Sequence, residues 1–260
     1  MGKCIAVANQ KGGVGKTTTA INLSAALGTL KKRVLLVDFD PQGNATSGVG
    51  VELLKDDATV YDVLINQMSV AEAVRDTGFQ NLWICPSNIE LAGAEIELVS
   101  QNKREMILKE AIANVKGDYD YIIIDCPPSL GLLTLNAFVC ADTILIPIQC
   151  EYYALEGLSQ LIRTVRQVKK GLNAALDIEG VLLTMFDGRT NLSIQVADEV
   201  KRFYPDKVYA SVIPRNVRLS EAPSYGQPIN IYDRHSRGAE GYLSLAKEVA
   251  KKNRNWGKEE

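Results

Sequence analysis

A short apolar run, Cys4 to Ala8, breaks off into Asn9-Gln10-Lys11-Gly12-Gly13-Val14-Gly15-Lys16-Thr17-Thr18, and a helical pattern begins at once at Lys16. A glycine-rich turn between a buried strand and a helix aims backbone N–H groups inward. The helix adds the positive end of its dipole, so the segment suits a chain of phosphates. The spacing assigns the cradle to Gly12, Gly13, Val14, Gly15 and Thr18. It sends Lys16 to the β- and γ-phosphates and gives the Thr17 hydroxyl to Mg²⁺. One position departs from the common form: where a glycine is expected five residues before Gly15 stands Gln10, and a second lysine, Lys11, follows it.

The rest of the chain repeats the strand-then-helix order. Apolar runs at Cys4–Ala8, Val34–Val37, Leu82–Cys85, Tyr121–Ile124, Thr143–Ile148, Gly180–Met185 and Val208–Ile213 read as strands. Helical spacing covers Lys16–Leu27, Ala92–Val115, Leu130–Val139, Leu155–Lys170, Asn191–Phe203 and Gly238–Lys252. Several strand runs are continuous rather than alternating, which demands burial on both faces. The fold class is therefore α/β, a doubly wound, mostly parallel sheet with helices on both faces. A single phosphate-loop domain over 1–250, followed by a polar tail over 251–260, accounts for the 260 residues.

In such a sheet ligands sit beyond the carboxyl ends of the strands. Asp125 closes the run YIII and is placed on the metal side of a phosphate loop; Ser129 is the expected N-cap of the helix that follows. After Val34–Val37 comes Asp38-Phe39-Asp40-Pro41. The single histidine, His235, leaves carboxylates to orient or activate an attacking water. Asp40, further out on the loop, takes that role and joins Thr17 and Asp125 near the metal, with Asp38 one step behind. Taken alone, Asp-Pro also fits an ordinary turn.

Composition narrows the function by exclusion. Five cysteines without C-x-x-C spacing and one histidine argue against a zinc site or a disulfide framework, so the thiols are expected reduced and buried. The N-terminal apolar run is too short for a signal peptide, and no stretch reaches the about 20 apolar residues of a membrane span, so a cytoplasmic location is expected. Residues 163–260 hold 17 Lys+Arg against 12 Asp+Glu, whereas the preceding part is acidic. The basic C-terminal part fits a polyanion-facing surface as well as a plain solvated one.

Taken together, KGGVGKTT, DFDPQGNATSG, YIIIDCPPSLGLLTLNA, IPIQCEYYALEGLSQL, LLTMFDGRT and VIPRNVRLSEAPSYG resemble the ParA family of partitioning ATPases, most closely its chromosomal Soj-type members, from about Lys3 to about Val249. The loop with an early lysine is shared with the cell-division ATPase MinD and the nitrogenase iron protein. The resemblance implies ATP and Mg²⁺ as ligands, ATP hydrolysis, and a nucleotide-sandwich homodimer in which Lys11 crosses to the partner's nucleotide. It also implies non-specific binding to double-stranded DNA in the ATP state and stimulation by a ParB/Spo0J-type protein. Pro214, Arg215 and Asn216 match the family's adenine-side segment, with Met185 against the base; as residues alone they also fit a proline turn. Arg189 and Arg218 match the DNA-contacting arginines, with Lys201, Arg202, Lys207, Lys247, Lys251 and Lys252 widening that face; simple surface charge is the alternative. A nucleotide-switched regulator that contacts a replication initiator protein, and a MinD-like cell-division ATPase, are the competing functions. Two differences count against the relatives. Cys126 lacks the second interface cysteine that a shared iron–sulfur cluster needs. After Val249 only Ala250 and Trp256 interrupt polar residues, which does not make a membrane-binding amphipathic helix.

Overall fold

Side chains on successive strand residues point to opposite faces, and here both faces are covered. The computed structural model describes residues 1–151 and 154–257. In chain order the elements are β1 (Lys3–Val7), α1 (Lys16–Thr29), β2 (Val34–Asp38), α2 (Asn44–Gly48), α3 (Val60–Ile65), α4 (Val70–Ala73), β3 (Arg75–Asp76), β4 (Leu82–Cys85), α5 (Leu91–Glu97), α6 (Ile107–Ala113), β5 (Tyr121–Asp125), α7 (Leu132–Cys140), β6 (Thr143–Gln149), α8 (Ala154–Gly171), β7 (Asp177–Phe186), α9 (Asn191–Phe203), β8 (Val208–Pro214), α10 (Val217–Glu221), α11 (Ile229–Tyr232) and α12 (Arg237–Lys252). Tyr152 and Tyr153 of the EYY stretch, and the last three residues of the polar tail, lie outside the described residues.

Among the described residues the strands form one sheet in the order β3-β4-β2-β5-β1-β6-β7-β8. Every pairing is parallel except β3 with β4. Cys4, Ala6, Leu35, Val37, Ile122 and Ile124 face one apolar layer. Their neighbours Ile5, Val7, Val34, Leu36, Tyr121 and Ile123 face the other. The continuous runs thus do bury both faces, and each fully buried aliphatic side chain contributes about 1.5–3 kcal/mol. Helices α1 and α12 cover the second layer, while α7 and α8 lie over the first.

The register positions the site. Val7, Asp125 and Asp38 stand side by side at the carboxyl ends of β1, β5 and β2. On the other side of β1, Gln149 of β6 is level with Thr184 of β7.

Three expectations need correction. The helix read over Ala92–Val115 is two helices, α5 and α6, separated by a 3-10 turn at Leu98–Ser100 and a polar loop. Lys103 has φ of 54°, which no helix continues through, and α6 begins where Asn136 Oδ1 accepts from the Leu108 N–H at 3.2 Å. The helix expected from Leu130 starts at Leu132 instead, with Gly131 as N-cap rather than Ser129. The Ser129 carbonyl accepts from the Thr134 hydroxyl at 2.6 Å. Strand β3 and five short helices, α2, α3, α4, α10 and α11, escape the periodicity because none exceeds six residues.

Candidate nucleotide site

The phosphate loop owes its shape to two glycines in the left-handed region, Gly13 at φ 73° and Gly15 at φ 85°, a conformation that side chains resist. Around Gly12 and Gly13 a methyl group would meet nothing within 4 Å. Gly15 is the N-cap of α1 and supplies no side-chain cap. The first N–H groups of this 14-residue helix therefore point into the loop without a side-chain acceptor, the arrangement that favours an anion.

Two polar side chains brace the loop. Asn9 Nδ2 donates to the Pro147 carbonyl at 2.7 Å, and its Oδ1 accepts from the Lys11 N–H at 3.0 Å. Thr184, from the end of β7, donates its hydroxyl to the Val14 carbonyl at 2.8 Å, with the Ile148 carbonyl 3.0 Å away. Neither role was assigned from sequence. The Asn9 turn had a local signal, an Asx residue two positions before the N–H it holds; Thr184 had none beyond being the polar end of an apolar run.

Lys16 is buried, and its ammonium donates to the Lys11 carbonyl at 3.0 Å. Burial lowers its pKa, opposed first by the charge of Asp125. Asp125 and Asp40 face it, and Asp38 stands behind them; all three carboxyl groups are buried. Asp38 accepts from both the Thr46 N–H and hydroxyl, at 2.8 and 2.7 Å, and burial raises it to about 6. Asp40 holds the Gln42 N–H at 3.0 Å. Asp125 is raised well above the usual carboxylate range, by burial first and the Asp38 charge second, and both of its oxygens lack a hydrogen-bond partner. Thr17, short of a well-formed hydrogen bond, and Lys16 pull the other way. Burial disfavours the ionised forms of Asp125 and Asp38, and a further cation at the site would favour them. The orphaned oxygens of Asp125 beside the Thr17 hydroxyl fit a hydrated divalent cation. Among the described residues no group of three or more His, Cys, Asp or Glu is arranged to bind a metal by itself. Mg²⁺ characteristically needs only one or two carboxylates and completes its shell with water and phosphate.

Beyond the loop opens a cleft of about 230 Å³ that brings Gly15 and Thr18 together with Met185, Pro214, Arg215 and Asn216. The residues read as a base-binding segment thus share one cavity with the phosphate loop. Met185 sits in β7 at φ 49°; a non-glycine residue in that region is strained, and such strain gathers at ligand sites. Asn216 Oδ1 is committed to the Arg218 N–H at 2.8 Å as the cap of α10.

Residues 2–178 match the family model described as an AAA domain. The chain is 64% identical over 250 residues to the sporulation initiation inhibitor protein Soj of Bacillus subtilis (strain 168), covering 96% of this chain and 99% of that one. It is 54% identical over 252 residues to the chromosome partitioning protein ParA of Myxococcus xanthus (strain DK1622), covering 97% and 89%. The chain belongs to the Soj/ParA family of chromosome-partitioning ATPases. A solved structure of cobyrinic acid a,c-diamide synthase from Mycobacterium smegmatis with bound ADP and magnesium superimposes with a TM-score of 0.85 at 39% identity, covering 98% of this chain and 96% of that one.

Within this member of the Soj/ParA family the second lysine is placed apart from the first. Lys11 is exposed and its ammonium donates to Glu151 at 2.7 Å. The arginines matched to DNA contacts are also exposed, and both are held by acidic neighbours. Arg189 forms a two-point pair with Asp187 at 2.9 and 2.7 Å, which holds that carboxyl down at about 2. Arg218 pairs with Glu221 at 2.8 Å and approaches Asp233 at 3.6 Å. Lys207 and Lys252, expected to widen that face, lie instead at the opposite, amino ends of the strands: Lys207 precedes β8 and is tied at 2.8 Å to Asp177, the first residue of β7, and Lys252 turns back onto the Glu179 carbonyl. Cys126 is fully buried, the other four cysteines are buried, and all five are free. Past α12, Trp256 lies under the Lys3 ammonium, 3.4 Å from its ring centre. No helix among the described residues is long and apolar enough to cross a membrane.

Proposed function

We propose that the chain is an ATP-hydrolysing partition switch. It binds ATP with Mg²⁺ in the loop and cleft, and two ATP-bound copies form a sandwich dimer. The dimer holds double-stranded DNA through phosphate contacts, and a ParB/Spo0J-type partner stimulates hydrolysis and release, so that the protein is cytoplasmic and nucleoid-associated in its ATP state. The observation that carries the reading is the meeting of Lys16, Asp40 and Asp125 at the uncapped start of α1. The phosphate loop binds the triphosphate, Asp40 orients the attacking water, and Asp125 with Thr17 would hold the Mg²⁺. When bound, that ion neutralises charge on the β- and γ-phosphates. Met185, Pro214, Arg215 and Asn216 serve the adenine.

DNA binding of this kind is sequence-indifferent and salt-dependent. Retention on random duplex DNA is expected with ATP and not with ADP, alongside a shift to dimer size in ATP. Arg189→Ala with Arg218→Ala keeps the dimer and lowers DNA retention at least about tenfold, as loss of several phosphate contacts implies. Equal retention in ATP and ADP, or in the double variant, contradicts the DNA-binding part.

Lys11 is assigned to the partner's nucleotide, a positive charge supplied in trans. Lys11→Ala is expected to bind ATP within about twofold of the parent and to lose about 10³-fold in hydrolysis, the lower end for such a group. Full activity in that variant reduces Lys11 to surface charge.

A second reading is a regulator that acts through protein contact, on a replication initiator or on sporulation. The name of the Bacillus subtilis relative, an inhibitor of sporulation initiation, favours it. Binding of an initiator protein by the ADP or monomeric state identifies that role. The amidation chemistry implied by the name of the Mycobacterium smegmatis structure is separated by following labelled phosphate. Free phosphate released from ATP alone supports the switch; release that requires a small carboxylic acid and a nitrogen donor does not, because amidation through an acyl phosphate also ends in free phosphate.

A further inference from the structure

The six residues between Asp125 and α7 leave the sheet at the site face and must be held at their far end. Their near end is fixed, because the Cys126 N–H donates to the Val7 carbonyl at 3.2 Å and the Asp125 carbonyl accepts from Phe39 at 3.0 Å. At the far end, α7 has no side-chain cap: Gly131 offers no side chain, and Ser129 meets the helix through its carbonyl, which accepts from the Thr134 hydroxyl at 2.6 Å, leaving the first N–H groups without a partner from the loop. A carboxylate from another helix takes the place. Glu95 of α5 accepts from the Leu133 N–H at 3.4 Å, against the positive end of this nine-residue helix. A second observation marks the same contact. Gly131 has an ordinary φ of −78°, so its backbone does not need glycine. A methyl group there would overlap the Glu95 carboxylate. The glycine leaves space, not conformational freedom, and the space is filled by Glu95.

We infer that Glu95 is a positioning residue for ATP hydrolysis: by capping α7 across the α5–α7 contact it fixes the Asp125–Gly131 loop at the face where the nucleotide binds. The inference rests on Asp125 belonging to that site. α5 and the turn after it are anchored beneath by buried Leu91, Ala94 and Leu98, so the carboxylate is presented from a fixed base. The phosphate loop is built on β1 and α1, and α5 contributes nothing to it. Glu95 should therefore influence turnover without influencing how tightly ATP is held.

The test is a set of variants in the full chain, measured for ATP affinity, turnover and melting temperature. Glu95→Ala is expected to lower kcat about tenfold, below the about 100-fold that a 1 Å misplacement costs, with ATP affinity within about twofold of the parent. Glu95→Gln keeps an acceptor for the Leu133 N–H and is expected within about threefold of the parent in kcat; it also serves if the alanine variant folds poorly. Gly131→Ala displaces the carboxylate and should match Glu95→Ala. The double variant, in which the new methyl occupies the vacated space, should be no slower than Glu95→Ala alone, since residues sharing one contact do not act additively. A parental kcat in Glu95→Ala, or losses that multiply in the double variant, overturns the inference. So does a fall in melting temperature with kcat per folded molecule unchanged. Asp125→Asn is measured in parallel. Hydrolysis that survives in Asp125→Asn overturns both the inference and the site assignment beneath it. Hydrolysis lost there but intact in Glu95→Ala overturns the inference alone.

Discussion

Lys16→Ala is expected to lose ATP binding by about two orders of magnitude or more, measured by titration with a fluorescent ATP analogue. The figure follows from the upper end of a charge-assisted hydrogen bond, about 3 kcal/mol. The change removes the buried ammonium that faces Asp125 and Asp40, so a triphosphate would arrive beside those carboxyl groups without the cation that offsets them. Alanine is the best helix former at the first turn of α1, so the far-ultraviolet dichroism should be unchanged. The Lys11 carbonyl, which accepts from Lys16 in this structure, lies beside an exposed residue where water can replace the lysine. Parental affinity in Lys16→Ala means the nucleotide is bound elsewhere.

The second large effect isolates the water. Asp40→Asn keeps an oxygen to hold the Gln42 N–H, so the turn that Asp40 builds at 3.0 Å survives. What it removes is the charge. Hydrolysis, followed as phosphate release, is expected to fall about 10²–10⁴-fold, the range for removing a general base. ATP binding should stay within a few fold, and the ATP dimer should persist and remain on DNA. The two variants thus fail differently: Lys16→Ala is empty, Asp40→Asn is loaded and stalled. Normal hydrolysis in Asp40→Asn leaves Asp40 as a turn former and returns the water to another group.

These sites were legible to different degrees, and the reason is the range over which each is encoded. The phosphate loop and the start of α1 are local: glycines, lysine and threonines at fixed spacing lie inside ten residues, and the structure begins α1 at Lys16 as the spacing requires. Asp38 and Asp125 were readable because apolar runs end on them, and parallel register then aligns them. The cleft walls at Met185 and Pro214–Asn216 came from resemblance, and their gathering into one cavity with Gly15 depends on the whole sheet. What sequence withheld is contact between distant segments. The break between α5 and α6 is reinforced by Asn136, 28 residues beyond the N–H it caps. Thr184 reaches back 170 residues to Val14. No periodicity within a helix or strand records either, because each depends on how separate layers pack. Met185 is a different failure: nothing in an apolar strand run announces a left-handed residue, since its strain is imposed by its surroundings.

The Lys11–Glu151 pair has a consequence for control. Both side chains are more than 40% exposed, and an ion pair so open to water is worth at most about 1 kcal/mol. Held by that pair, Lys11 would be withheld from any other anion by no more than about fivefold. Glu151 therefore works as a parking position with an unlocked gate. Moderate salt is enough to open it, so in the proposed dimer this contact would not decide when two copies meet, and the nucleotide would.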